Sequence, residues 1–134
     1  MNDFVLPSQH MLDVLIVDDS GDTLEMMSLL IRRRGHAVRV AQTATLALEA
    51  AQAQAPDVVL LDFGLPDFSG LELARRLRAN GLAQTRLIAV TGQSREADRQ
   101  QALDAGCDDF VTKPLRRKVL DRLLAEAASC STGR

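Results

Sequence analysis

Residues 12–20 read LDVLIVDDS, a nearly unbroken apolar run that ends in two aspartates and a serine. A strand that is apolar on both faces is typical of a parallel sheet covered by helices on both sides. The sequences VVLLD at 58–62 and LIAVT at 87–91 have the same form, since each is an apolar run that ends in a polar residue. These runs predict an α/β protein with a parallel sheet.

Helices are predicted between the strands. The first begins near Asp22, has Leu24, Met27 and Ile31 at helical spacing, and ends in three arginines before Gly35. The other predicted elements are a short edge strand at 37–40 that carries Arg39, a helix at 43–54, a helix opened by Ser69 and Glu72 as a capping box, a helix at 94–105 and a last helix whose apolar face runs from Leu115 to Ala127.

About five strand-then-helix units follow one another, and right-handed crossovers between parallel strands leave few possible topologies. We therefore expect a flavodoxin-like, doubly wound, five-stranded parallel sheet in the order 2-1-3-4-5 with five helices. The predicted organisation is a short leader at 1–11, one domain at 12–128 and a tail at 129–134. The length of 134 residues is enough for a single sizeable core.

Composition excludes several classes of protein. Hydrophobic residues make up 46% of the chain, which is ordinary for a globular domain. A formal net charge of −2 gives no basic footprint for nucleic acid, and no apolar run reaches the roughly 18 residues of a membrane span. The leader lacks the basic start of a secretory signal. Cys107 and Cys130 match no metal or disulfide pattern, so we expect a reduced, cytoplasmic setting.

Polar side chains stand at the predicted carboxyl ends of four strands. In an open α/β sheet these ends border the crevice where ligands bind, and the order 2-1-3-4-5 makes the first and third strands neighbours there. Three carboxylates, one hydroxyl and one ammonium at that crevice indicate phosphoryl transfer to a carboxylate, assisted by a hard cation. The residues concerned are Asp18, Asp19, Asp62, Thr91 and Lys113.

The chain resembles the response regulator receiver domains of bacterial two-component signalling. Each matching piece is common by itself, but together they stand in order at strand ends and cover roughly residues 12–128. The pieces are LIVDDS at 15–20, Asp62 with LP at 65–66 and Gly70, TG at 91–92, AGCDDF at 105–110 and KP at 113–114.

The resemblance implies a role for each site residue. Asp62 would accept the phosphoryl group as an acyl phosphate. Mg²⁺ would be bound by Asp18, Asp19, Asp62 and the main-chain carbonyl of Gly64, with the second acidic residue of the pair usually direct and the first often through water. The remaining implied features are Lys113 as the cation on the phosphoryl oxygens, a cis bond between Lys113 and Pro114, and Thr91 with Phe110 as the switch pair.

Two positions depart from the commonest pattern of this family. Gly64 stands where many relatives carry a larger side chain, and Gln93 lies two residues after Thr91. In the family these positions tune how fast the phosphoryl group is lost. Gly64 should leave the entrance open, whereas Gln93 could position or obstruct a water molecule, so their net effect on phosphoryl lifetime is undecided.

The function expected is that of a receiver, which takes a phosphoryl group from a histidine kinase or phosphotransfer protein and changes a partner-binding face. That face is expected on the fourth helix, fifth strand and fifth helix, for a protein target rather than nucleic acid or membrane. Such a chain promotes only its own phosphorylation and dephosphorylation. Alternatives are a pseudo-receiver for docking or dimerisation, and a receiver piece of a hybrid kinase. A haloacid-dehalogenase-like phosphatase fits poorly, because it needs a second acid where Gly64 stands.

Overall fold

The computed structural model describes residues 11–92 and 95–132, with side chains described as far as residue 129. Strands and helices alternate in this part of the chain, as the sequence predicts. The strands are β1 (Asp13–Val17), β2 (Ala37–Ala41), β3 (Val58–Asp62), β4 (Arg86–Thr91) and β5 (Asp109–Thr112). The helices are α1 (Gly21–Arg33), α2 (Ala44–Ala53), α3 (Gly70–Ala79), α4 (Glu96–Asp104) and α5 (Arg117–Thr132).

All four strand pairings are parallel, and the strand order is β2-β1-β3-β4-β5. The predicted flavodoxin-like topology is therefore confirmed. β2 lies at the edge, where Arg39 forms an ion pair with Asp13 of β1 at 2.9 Å and donates to main-chain oxygens of Ala50 and Gln54. A charged side chain on an edge strand also discourages pairing with another chain.

The core has two layers because alternate residues of each strand point to opposite faces of the sheet. Leu15 and Val17 of β1 face one layer, whereas Val14 and Ile16 face the other. Full burial of a leucine or isoleucine side chain stabilises the fold by about 1.5–3 kcal/mol. Helices α2, α3 and α4 cover the first layer, chiefly through Ala44, Ala47, Leu73, Leu77 and Ala102, and α1 with α5 covers the second, chiefly through Leu24, Ile31, Leu120 and Leu123.

Hydroxyl caps start three of the helices. The side chains of Ser20, Thr43 and Ser69 each accept the main-chain N–H three residues on, at 3.3, 3.0 and 3.2 Å. Such a cap satisfies a donor that the helix leaves unpaired. Half of the predicted capping box is thus formed at Ser69, while the Glu72 carboxylate pairs with Arg76 at 3.1 Å. Helix α5 continues past Ala128, the predicted end of the domain, to Thr132.

Helix α4 is held by few contacts. Ala102 is its one buried residue, and Leu103, its large apolar residue, is 38% exposed. Its N-cap, Arg95, offers no side-chain acceptor to the first main-chain N–H groups of the helix, and its guanidinium pairs instead with the Asp98 carboxylate at 3.1 Å. Leu103 is the one large apolar residue in the sequence of this helix, so little burial anchors it. None of the helices in the described segments is long and apolar enough to span a membrane.

We expect the amides of α4 to exchange with solvent at least tenfold faster than those of α1, because little burial opposes opening of this helix. Hydrogen–deuterium exchange measured by NMR tests this. Replacement of Arg95 by serine adds a cap worth about 1 kcal/mol, which outweighs the exposed Arg95–Asp98 ion pair that it removes, and should slow exchange in α4 alone. Protection of α4 equal to that of α1 in the unmodified protein would contradict the expectation.

Candidate functional site

The registers of the sheet bring the four polar strand ends to one edge. Val17 pairs with Leu61, so the residues that follow them, Asp18 and Asp62, lie side by side. Asp62 pairs with Val90, which directly precedes Thr91. Thr91 pairs with Thr112, and Lys113 comes next in the chain. The residues at these four strand ends therefore lie along one edge of the sheet.

The three aspartates form one carboxylate cluster. A carboxylate oxygen from each of Asp18, Asp19 and Asp62 lies within 4.8 Å of the other two. Burial is graded across the cluster, since Asp18 is buried, Asp62 is half-buried and Asp19 is exposed. The cluster is thus open to solvent on the side of Asp19, where an ion or a phosphoryl donor can approach.

The ammonium of Lys113 lies on the inner side of the cluster. Its Nζ atom is 2.9 Å from Asp18 Oδ2 and 3.4 Å from Asp62 Oδ2. Burial by itself would lower the pKa of Lys113, but the hydrogen bond to Asp18 and the charges of Asp62 and Asp18 together raise it. The side chain therefore stays protonated at neutral pH. The bond between Lys113 and Pro114 is cis, as the resemblance implies.

Both carboxylate oxygens of Asp18 have partners. Oδ2 accepts from Lys113, and Oδ1 accepts the main-chain N–H of Ser20 at 2.9 Å. The main-chain N–H of Asp18 itself donates to Ala41 at the end of β2. Asp18 thus holds the lysine in place and is fixed in turn by the start of α1.

Gly70, the first residue of α3, packs against the main chain of Asp62. A Cβ atom at this position would overlap the Asp62 carbonyl oxygen and lie 3.0 Å from Phe63 Cα. The Gly70 N–H also donates to the Phe63 carbonyl at 3.1 Å. The motif contains this glycine, but only the tertiary contact gives the reason for it: the helix can lie directly against Asp62 because no side chain intervenes.

Thr91 and Phe110, the predicted switch pair, are both buried. The Phe110 ring lies next to that of Phe63, with centroids 6.2 Å apart and planes inclined at 52°. Tilted aromatic pairs at this separation attract one another beyond their simple burial. Because Phe63 directly follows Asp62, the aromatic of β5 is in contact with the segment that carries the central carboxylate. Sequence reasoning did not find this contact.

A second contact missed by sequence reasoning fixes the loop at 63–69. The exposed carboxylate of Asp67 accepts the N–H groups of Ala44 and Thr45 at 2.9 and 2.8 Å, and the Thr45 hydroxyl at 2.6 Å. These hydrogen bonds, the Thr45 hydroxyl first, hold the pKa of Asp67 well below its usual range. The loop is thereby tied to the start of α2.

Space is open at two glycines of the site. A Cβ atom at Gly64 or at Gly92 would meet nothing within 4 Å. The Gly64 N–H lies 3.4 Å from Asp62 Oδ1, so its main chain borders the carboxylate. An open entrance at Gly64 agrees with the expectation from the sequence. Gln93, the other departure from the family pattern, lies outside the described residues.

A cavity of about 340 Å³ adjoins the cluster. Its polar wall includes Asp18, Asp62 and Lys113, and the rest is mostly apolar, including Met26, Met27 and Leu115. Apolar walls lower the local dielectric and strengthen the interactions of the charges beside them.

The chemistry of the donor set fits a divalent cation. Three carboxylates and one ammonium leave a formal charge of −2. All the available ligands are oxygens, which Mg²⁺ prefers, and the exposed side at Asp19 leaves room for the waters that this ion retains. The arrangement suits a reaction in which negative charge builds up at Asp62 and is balanced by a divalent cation on one side and by the Lys113 ammonium on the other.

Comparison with known proteins agrees with this chemistry. The family model for the response regulator receiver domain matches residues 14–125. The probable transcriptional regulatory protein TcrX of Mycobacterium tuberculosis is 45% identical over 65 residues, covering 48% of this chain and 28% of that protein. The transcriptional regulatory protein CreB of Escherichia coli is 40% identical over 64 residues, covering 48% of this chain and 28% of that protein. The aligned part thus spans less than a third of these relatives.

Solved structures match along almost the whole chain. A CheY-like response regulator receiver domain from Methanospirillum hungatei superposes with a TM-score of 0.84 at 25% identity, covering 93% of this chain and 100% of that one. The chemotaxis response regulator CheY4 of Vibrio cholerae gives a TM-score of 0.82 at 26% identity, covering 88% and 99% of the two chains.

We expect Gly70→Ala to lower the free energy of unfolding by about 1–3 kcal/mol, because the added methyl group meets the Asp62 main chain. Alanine is otherwise favoured over glycine within a helix by about 0.5–1 kcal/mol, so the overlap has to outweigh that preference. Urea denaturation measures the change. Gly64→Ala, with open space at its Cβ, is the control and should stay within about 0.5 kcal/mol of the unmodified protein; equal stability of the two variants would argue against the overlap.

Proposed function

The chain belongs to the response regulator receiver family, and from this premise we propose that the carboxylate of Asp62 accepts a phosphoryl group from the histidine of a kinase or phosphotransfer protein. The observation that carries the proposal is the placement of Asp62 between the partly exposed side of the carboxylate cluster and the ammonium of Lys113. In the described part of the chain, only Asp18 shares with Asp62 both a lysine partner and a place in that cluster. Asp18, however, is buried and has partners on both carboxylate oxygens.

In the proposed reaction an oxygen of the Asp62 carboxylate attacks the phosphorus. A P–O bond forms, the P–N bond to the donor histidine breaks, and the imidazole nitrogen keeps the electron pair. The product is an acyl phosphate, and later attack by water at phosphorus would release inorganic phosphate and restore the carboxylate. The chain thus acts on itself and not on a separate substrate.

Mg²⁺ would be held by Asp19, Asp62 and the Gly64 main-chain carbonyl, with Asp18 acting through a water molecule. This division of roles is supported by the partners of Asp18, whose two oxygens already accept from Ser20 and Lys113. A bound Mg²⁺ would neutralise the charge that gathers on the phosphoryl oxygens.

Lys113 would supply the second positive charge. Its Nζ atom lies 3.4 Å from Asp62, so a small movement would carry it from the carboxylate to a phosphoryl oxygen on the same residue. The interaction with Asp18, at 2.9 Å, can persist during that movement and keeps the ammonium aimed at the site. Because the ammonium is already held beside Asp62, it would stabilise the charge of the transition state with little reorganisation.

The proposed readout passes from Thr91 to Phe110 and on to α4. The Thr91 hydroxyl would bond a phosphoryl oxygen, and Phe110 would respond by changing its burial. A groove of about 390 Å³ borders Phe110 on the outer face and is lined by residues of α4, β5 and α5, among them Glu96, Arg99, Val119 and Arg122. We assign this groove to the partner-binding face, with a protein as the target and a cytoplasmic setting for the phosphoryl donor.

A pseudo-receiver role is less favoured, because such a module has no need to keep the complete set of reactive groups together. Here the acidic pair, Asp62 and Lys113 stand in mutual contact. A phosphatase of the haloacid dehalogenase kind is less favoured as well, since Gly64 offers no side-chain acid beside Asp62.

We expect incubation with Mg²⁺ and a small acyl phosphate donor to add one phosphoryl group, because the chain supplies the nucleophile and the Lys113 ammonium, and the added Mg²⁺ supplies the other positive charge. Intact-protein mass spectrometry measures the addition. Asp62→Asn should abolish it, since an amide oxygen is a far weaker nucleophile, and chelation of Mg²⁺ should suppress it. Asp104→Asn, on the exposed side of α4, is the matched control and should leave it unchanged. Persistent phosphorylation of the Asp62→Asn variant would refute the assignment.

We expect Gly64→Met to slow loss of the phosphoryl group by up to about tenfold, a change of roughly 1.4 kcal/mol in the barrier. The space beyond Gly64 is open, so a longer side chain there would obstruct the water that attacks the acyl phosphate. The decay of phosphorylated protein after removal of the donor, followed by mass spectrometry, measures this rate. Gly64→Ala, which adds little bulk, serves as the control, and an unchanged rate for the methionine variant would exclude shielding at this position.

A further inference from the structure

The loop at 63–69 is attached to a helix that lies outside the site. Its attachment is the carboxylate of Asp67, which accepts three hydrogen bonds, two from main-chain N–H groups of α2 and one from the Thr45 hydroxyl, at 2.6–2.9 Å. Asp67 and Thr45 are separated by 22 residues in sequence. The contact therefore fixes one segment of the fold relative to another and does more than shape a local turn.

The start of α2 needs an acceptor at this point. The helix has no acidic residue in its own first turn, and the Thr43 hydroxyl accepts only the N–H of Leu46. The N–H groups of Ala44 and Thr45 are among those that no helix can pair internally. A negative charge is also favourable at this end of the helix dipole. Asp67 supplies both the acceptor and the charge, so the attachment is well matched.

The attachment limits the position of Gly64. Gly64 and Asp67 are three residues apart, a length of chain that spans at most about 10 Å. Pro66 lies between them with a fixed φ and also restricts the residue before it. At the other end the loop is closed by the hydrogen bond from Gly70 to the Phe63 carbonyl at 3.1 Å. Loss of the Asp67 attachment would therefore leave the Gly64 main chain positioned by fewer contacts, chiefly those of its neighbours Phe63 and Leu65 with the core.

We propose that Asp67 is a positioning residue for the divalent cation: by tying the loop to α2, it keeps the Gly64 main chain beside the carboxylate cluster and raises the affinity of the site for Mg²⁺. This inference rests on the proposed function, because it takes the cluster to be a Mg²⁺ site. Asp67 does not touch the cation in this account. It acts through the main chain of Leu65 and Pro66, the two residues that separate it from Gly64.

The test is a titration of the full ¹⁵N-labelled chain with MgCl₂ at constant ionic strength, followed through the amide shifts of residues around Asp62. We expect Asp67→Ala to raise the dissociation constant for Mg²⁺ by about tenfold, the lower end of the effect that residues supporting metal ligands have. Asp67→Asn, which keeps one acceptor oxygen, should give a smaller increase. Thr45→Ala removes one of the three hydrogen bonds without touching the loop and should also weaken binding.

Asp108→Ala is the matched control. The Asp108 carboxylate is likewise a tertiary attachment, since it accepts from the Leu87 N–H at 2.9 Å and from Arg78 at 2.9 Å, but Leu87 lies four residues before Thr91 and far from the loop. Its loss should lower stability without changing the affinity for Mg²⁺. Equal weakening of Mg²⁺ binding in the Asp67 and Asp108 variants would overturn the inference, because general loosening would then explain both.

Two further outcomes separate this inference from the proposed function. Saturable Mg²⁺ binding by the unmodified chain with an unchanged constant in Asp67→Ala overturns the role of Asp67 and leaves the proposed cation site standing. Absence of saturable Mg²⁺ binding by the unmodified chain overturns both. A dissociation constant that rises in the order unmodified, Asp67→Asn, Asp67→Ala supports the positioning role.

Discussion

Like charges held close together repel, and the register between β1 and β3 holds three carboxylates within 4.8 Å. Two unit charges about 4 Å apart interact by about 4 kcal/mol near a protein surface, so this cluster persists only because other forces fix the strands. The strands are fixed by apolar burial on both faces of the sheet, where Leu15, Leu60 and Ile88 are almost fully buried. The ammonium of Lys113 offsets part of the repulsion. Core packing thus holds the carboxylates so close together that binding of a cation to them is electrostatically favourable.

The strand ends differ from the loops in what holds them. Asp18 and Lys113 directly follow paired strands and Asp62 ends one, so their positions depend on the ladder of main-chain hydrogen bonds. The loop after Asp62 has no such ladder and depends on side-chain contacts, among them the Asp67 carboxylate at α2, the approach of Gly70 to the Asp62 main chain and the packing of its apolar residues on the core. The site therefore combines reactive side chains fixed by strand pairing with a loop fixed by tertiary contacts.

This difference explains which parts were predictable from the sequence. The order of the strands and the meeting of Asp18, Asp62, Thr91 and Lys113 follow from apolar runs with polar ends, because parallel topology brings carboxyl ends to one edge. Sequence gives no comparable signal for Asp67, whose partners depend on how two loops pass each other. The same holds for the contact of Phe63 with Phe110. Burial of single helical residues is also hard to predict from the sequence. Leu103, the large apolar residue of α4, is partly exposed, whereas the smaller Ala102 is buried.

The proposed switch depends on the difference between α4, which has few contacts, and the segment around Asp62, which has more. A bound group shifts a conformational equilibrium only by the difference in its interactions with the two states. If α4 were anchored as firmly as α1, the added charge of one phosphoryl group would have to overcome the burial of several large side chains. With Ala102 as its single buried residue, α4 has a small free-energy difference to overcome, and Phe110 lies between it and the segment after Asp62. In the proposed switch, attachment of the loop at Asp67 and Gly70 would favour a response at β5 and α4, because the loop has more contacts to lose than α4 has.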